Sequence, residues 1–121
     1  MSAKRLLLVE DEALIALFTE ETLTDAGYEV VGPAHRLEAA LDLAAREALD
    51  GAVLDVNLEG VAVWPAAALL RERGVPFIFL TGFGACLAAP ANLQDVPCVG
   101  KPFKEQVLLD TLAGVVGTVG T

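Results

Sequence analysis

The 121-residue chain carries 17 acidic against 8 basic side chains, a net charge of −9, and is 55% hydrophobic. That length predicts one ordinary domain with a sizeable core over residues 1–121, and the acidity argues against nucleic acid, whose phosphates need clustered Lys and Arg. No apolar run approaches the ~18 residues of a membrane span. Lys4-Arg5 before Leu6-Leu7-Leu8-Val9 does not make a secretory leader, because the run stops at Glu10-Asp11-Glu12; no membrane insertion and a cytoplasmic location are expected.

The first strand-like run is Arg5–Glu10, closed by the acid pair Glu10-Asp11. Two readings fit the pair. Hard oxygen donors suit Mg²⁺, which takes one or two carboxylates and keeps several waters; acids also favour the N-terminus of a helix. A helix follows over about Glu12–Ala26, with Leu14, Leu17 and Phe18 at helical spacing and Gly27 as its stop. Tyr28–Val31 reads as a second strand. His35, the only histidine, reads as an exposed polar residue at the start of the second helix rather than a phosphohistidine relay. That helix repeats Leu37, Leu41 and Ala45 as its apolar stripe.

Ala52–Asp55 is the third strand. Its closing aspartate has two readings, a loop-opening residue or a nucleophile able to become an aspartyl phosphate. Asn57 and Gly60 fit a turn in which the Asn57 backbone carbonyl offers another metal ligand. The third helix starts near Trp64-Pro65, since proline is welcome in a first turn, and ends at Gly74; Trp64 reads as packing. Pro76–Thr81 is the fourth strand. Thr81 before Gly82 fits a phosphoryl-binding hydroxyl, and fits equally an ordinary strand end and turn.

The segment Gly82–Pro97, punctuated by Gly82, Gly84, Pro90 and Pro97, is expected to hold a short or loosely held fourth helix. Phe83 reads as a loop anchor. Cys98–Gly100 is the fifth strand, closed by Lys101-Pro102. The ammonium suits a phosphoryl oxygen, or is a surface charge before a helix; a cis peptide there would aim Lys101 inward. The last helix, from about Lys104, buries Val107, Leu108, Leu112 and Val115, and the glycine-rich tail after Ala113 is expected to fray. Cys86 and Cys98 show neither Cys-x-x-Cys spacing nor enough partners for zinc, and are expected to be free thiols.

Five β–α alternations predict an α/β domain with a parallel sheet. In such a sheet the carboxyl ends of all strands gather on one edge, where ligands bind. Glu10-Asp11, Asp55, Thr81 and Lys101 then form one site of three carboxylates, a hydroxyl and an ammonium. Lys101 and one divalent cation would balance the three carboxylates, and an acyl phosphate on Asp55 would make the site about one unit more negative. That change would draw the loops of Thr81 and Lys101 inward.

Together these residues resemble, over essentially the whole chain, the receiver domain of two-component response regulators. The resemblance implies a doubly wound, flavodoxin-like (βα)5 sheet of order 2-1-3-4-5 with five helices. It implies a phosphoryl group passed from a sensor histidine kinase to Asp55, with Thr81 and Lys101 contacting it and Mg²⁺ held by Glu10, Asp11, Asp55 and the Asn57 carbonyl. The run Pro76-Phe77-Ile78-Phe79-Leu80-Thr81-Gly82-Phe83-Gly84, with Asp55-Val56-Asn57-Leu58-Glu59-Gly60 and Val63-Trp64-Pro65, is similar to the FAT GUY response regulators. Members of that group are often stand-alone receivers paired with HWE-class kinases. The departure is Cys98: many receivers place Tyr or Phe three residues before the lysine, and cysteine has no ring to rotate with Thr81.

The sequence therefore predicts a single receiver domain without an output domain. It would phosphorylate and dephosphorylate itself, and signal by binding a downstream protein or phosphotransferase. A phosphate sink is the alternative. A small phosphotransferase or phosphatase using the same Asp is remote, since no cap insertion is present. A flavodoxin-like cofactor binder would need a Ser/Thr/Gly phosphate loop where this chain has acids.

Overall fold

A computed structural model describes residues 3–82 and 85–117. Phe83, expected as a loop anchor, Gly84 and the tail 118–121 lie outside the described residues. Five parallel strands, β1 (Arg5–Val9), β2 (Glu29–Ala34), β3 (Gly51–Leu54), β6 (Phe77–Thr81) and β7 (Cys98–Gly100), form a sheet of order β2-β1-β3-β6-β7. In chain order that is the expected 2-1-3-4-5 arrangement. A two-stranded antiparallel ribbon, β4 (Asn57–Leu58) and β5 (Val61–Ala62), occupies the expected turn around Asn57 and Gly60.

The strands read as unbroken apolar runs because helices cover both faces of the sheet. Side chains of β1 alternate between the two sides. Leu7 and Val9 face a core completed by α2 (Leu37–Arg46) and α3 (Trp64–Glu72); Leu6 and Leu8 face one completed by α1 (Ala13–Asp25) and α4 (Glu105–Val116). Trp64 packs edge-on against Phe79, with ring centroids 5.6 Å apart. Gly51 is confined by this packing, since a Cβ there would run into Val116 and crowd Leu6 and the Pro76 carbonyl.

Several expectations change. Leu14, Leu17 and Phe18 do not face the core: they are 81%, 52% and 48% exposed, and Ala16, Thr19, Thr22 and Leu23 are buried instead. Small residues let α1 lie close to the sheet, and the hydroxyls of Thr19 and Thr22 donate to the carbonyls of Ile15 and Phe18, so their burial leaves no polar group unpaired. In α2, Ala45 is exposed and the buried pair is Ala40 and Ala44. In α4, Val107 is exposed, and the helix continues past Ala113 to Val116, anchored by that residue's burial.

The segment after β6 contains no α-helix among its described residues. It makes two 3-10 turns, Ala85–Ala88 and Ala91–Leu93, with Pro90 between them; proline and the lack of an apolar period prevent a longer helix. Cys86, in the first turn, and Cys98, on β7, are joined as a disulfide with Cα atoms 6.6 Å apart, a correction to the expected free thiols. Their spacing of 12 residues carries no sequence signature, and proximity arises only because the connection folds back over β7, which brings the Cα atoms within bridging range.

Candidate functional site

The ladder pairs Val9 with Leu54, Leu54 with Phe79, and Thr81 with Gly100. The residues that close these strands therefore emerge side by side at the carboxyl edge. Carboxylate oxygens of Glu10, Asp11 and Asp55 lie within 4.8 Å of one another. Glu10, Asp55 and Thr81 are buried, and Asp11 is half-buried. The Asp55 carboxylate is held on both oxygens. Thr81 Oγ1 donates to Oδ1 at 3.1 Å, the Asn57 N–H reaches the same oxygen at 3.4 Å, and Lys101 Nζ donates to Oδ2 at 3.1 Å.

Lys101 also forms an ion pair with Glu10 Oε1, and its backbone N–H donates to the Thr81 carbonyl at 2.9 Å. The Lys101–Pro102 peptide is cis. The other Glu10 oxygen, Oε2, accepts from the Glu12 N–H at 3.1 Å. Sequence reasoning missed two supports. The Glu59 N–H, at the tip of the β4–β5 ribbon, donates to Asp11 Oδ2 at 3.0 Å, and exposed His35 places Nδ1 2.8 Å from the Glu10 carbonyl oxygen. Neither is legible from spacing, because both act through backbone groups.

Crowding three carboxylates under low exposure perturbs their protonation. Burial pushes Glu10 up to about 7, against the opposing pull of Lys101 and the Glu12 N–H. Burial alone would raise Asp11 as well, but hydrogen bonding with Glu10, Asp55 and the Glu59 N–H brings it below the ordinary carboxylate value. Burial alone would lower Lys101, and its contacts with Glu10 and Asp55 outweigh that and raise it. The cluster is acid-rich, and its donors are all hard oxygens, so it fits a divalent cation of the Mg²⁺ type. An open cleft of about 590 Å³, lined by Asp11, Ile15, Asp55, Thr81, Gly82 and Lys101, gives access from solvent.

All six positions singled out from the sequence, Glu10, Asp11, Asp55, Asn57, Thr81 and Lys101, thus meet at one edge. Residues 6–113 match the family described as Response regulator receiver domain. The chain belongs to that family. It is the receiver domain of a response regulator in two-component signalling.

The receiver is 33% identical over 115 residues to the response regulator protein FleR of Pseudomonas aeruginosa, a match covering 92% of this chain and 24% of FleR. The receiver accordingly spans less than half the length of the curated relatives it matches. SdrG from Sphingomonas melonis superposes with a TM-score of 0.81 at 35% identity, covering 93% of this chain and 97% of SdrG. The receiver domain of a Pseudomonas aeruginosa sensor histidine kinase, whose crystal structure holds a magnesium ion in the active-site cleft, gives 0.81 at 28% identity, covering 97% and 100% of the two chains. Among the described residues no helix is long and apolar enough to cross a membrane.

Proposed function

We propose that the protein is a stand-alone response regulator whose Asp55 accepts a phosphoryl group from a sensor histidine kinase. The observation that carries this reading is the Asp55 carboxylate, fixed between the Thr81 hydroxyl and the Lys101 ammonium beside two further acids. An Asp55 oxygen attacks phosphorus, the P–N bond to the donor imidazole breaks, and the imidazole leaves with a proton from solvent. Asp11, Asp55 and the Asn57 carbonyl, with Glu10 behind them, would hold Mg²⁺. When bound, the cation supplies charge neutralisation for the phosphoryl oxygens. Lys101 neutralises the same oxygens as a point charge, and the Thr81 hydroxyl is placed to turn from Asp55 to the new acyl phosphate.

The similarity to FAT GUY regulators supports a single domain with no output domain, paired with an HWE-class kinase. The outward apolar face of α1, Leu14, Leu17 and Phe18, adjoins Ile15 at the cleft and supports protein binding as the route of input and output. The net charge of −9 supports a protein rather than a nucleic-acid partner. Incubation with acetyl phosphate and Mg²⁺, read by intact mass, is expected to add one labile phosphoryl group, and Asp55→Asn is expected to add none. The same label on the variant would sink the assignment.

A further inference from the structure

The two groups that grip the Asp55 carboxylate stand at opposite ends of one connection. Thr81 closes β6, the chain runs through both 3-10 turns, and Cys98 on β7 leads within three residues to Lys101. Backbone hydrogen bonds among residues 85–96 are local, Ala89 to Cys86, Leu93 to Pro90, Gln94 to Ala91 and Val96 to Leu93, and the connection rejoins the sheet at Pro97, whose carbonyl accepts from the Phe79 N–H at 2.9 Å. The second turn is held against α3 by buried Leu93 and by Arg71, which bonds the Asn92 carbonyl and the Asp95 carboxylate. The first turn is tied by the Cys86–Cys98 bond to the strand that carries Lys101. Position 98, where many receivers place an aromatic ring, thus carries one sulfur of the bridge.

We propose that Cys86 and Cys98 form a reversible redox site that decides whether the connection after Thr81 can respond to a phosphoryl group on Asp55; this rests on the phosphoacceptor reading above. The disulfide fixes the first turn to β7, and the dithiol releases it. Cys98 is exposed and Cys86 half-buried, so an external reagent meets Cys98 first. Oxidation proceeds by thiol–disulfide exchange with a low-molecular-weight disulfide. The Cys98 thiolate attacks one sulfur of the reagent and expels its other half as a thiolate. The Cys86 thiolate then attacks Cys98 sulfur and expels the second half. The protein loses two protons and two electrons, and the reagent is reduced to two thiols. Excess thiol reverses both steps.

None of Glu10, Asp11, Asp55 or Lys101 takes part in the bridge, so phosphoryl uptake is expected in both redox states. The discriminating experiment is hydrogen exchange on peptides within residues 85–97, with and without beryllofluoride and Mg²⁺, on protein treated with glutathione disulfide or with dithiothreitol. Thiol alkylation and intact mass report the redox state, and acetyl phosphate labelling of Asp55 is followed in parallel. In the reduced protein beryllofluoride is expected to change exchange in this segment by at least about threefold, and in the disulfide form to leave it nearly unchanged. The double variant Cys86→Ser, Cys98→Ser is expected to respond like reduced protein under both treatments. Phosphoryl uptake with an identical exchange response in both states would overturn this inference alone, as would failure of glutathione disulfide to oxidise the pair. Absence of uptake in both states would remove the phosphoacceptor reading and this inference with it.

Discussion

Asp55 is gripped from two sides that are built differently. On one side Glu10 and Asp11 follow the central strand β1 and Lys101 follows the edge strand β7, locked by backbone donors from Glu12 and Glu59 and by ion pairing. On the other, Thr81 opens a connection of two short 3-10 turns held by local hydrogen bonds, a few apolar anchors, the Arg71 contacts to Asn92 and Asp95, and one covalent bridge. Charge chemistry needs donors placed in advance, and rigid strand ends provide that. A signal needs an element whose alternative arrangement costs little, and a segment with few sheet contacts provides that.

The largest expected effect breaks the first side. Replacing Glu10 and Asp11 together by Gln and Asn removes two of the three clustered carboxylates. Calorimetric titration is expected to show Mg²⁺ affinity lowered by at least about tenfold, with phosphorylation of Asp55 lost and the fold intact or more stable through relief of repulsion. Undiminished affinity would mean that the cation sits elsewhere.

Reducing the disulfide breaks the second side. Closing a loop whose ends lie 12 residues apart stabilises a fold by roughly 3 kcal/mol in the chain-entropy account, so dithiothreitol is expected to lower stability to denaturant by up to about that amount. A midpoint unmoved by reduction would show that the connection is held without the bridge.

These two sides were not equally legible in the sequence. Glu10-Asp11, Asp55, Thr81 and Lys101 could be read because each ends an apolar run, and in a parallel sheet run ends coincide in space. The disulfide could not, because nothing local marks two cysteines that meet through a crossover. Nor could the end of α4: Gly114 and Gly117 suggest fraying, whereas Val116 finds a fitted place over Gly51. Helical spacing in α1 showed a stripe but not which way it faces, since apolar residues on two sides of a helix satisfy the same period.

A smaller effect concerns protons on the first side. Glu10 is raised from an ordinary value of 4.5 to about 7 by burial, so the folded, metal-free protein binds a proton that the unfolded chain has lost. Its contribution to stability is full below pH 4.5 and is lost as pH rises through about 7. Glu10→Gln is expected to flatten this fall in denaturant titrations between those limits, and a wild-type curve that rises across the window would contradict the assignment.

The smallest expected effect tests the orientation of α1, which leads away from the acid pair. Leu14 is 81% exposed, and Leu23, on the opposite side of the helix, is fully buried. An exposed leucine contributes little to folding because unfolding exposes it hardly further. Leu14→Ser is therefore expected to change stability by no more than about 0.5 kcal/mol, the range of surface substitutions, and to leave acetyl phosphate labelling of Asp55 unchanged. A core leucine would instead cost about 2–5 kcal/mol on truncation. A loss of that size at Leu14 would mean that α1 turns its Leu14, Leu17 and Phe18 stripe inward, and the apolar surface beside the cleft would then not exist for a partner to use.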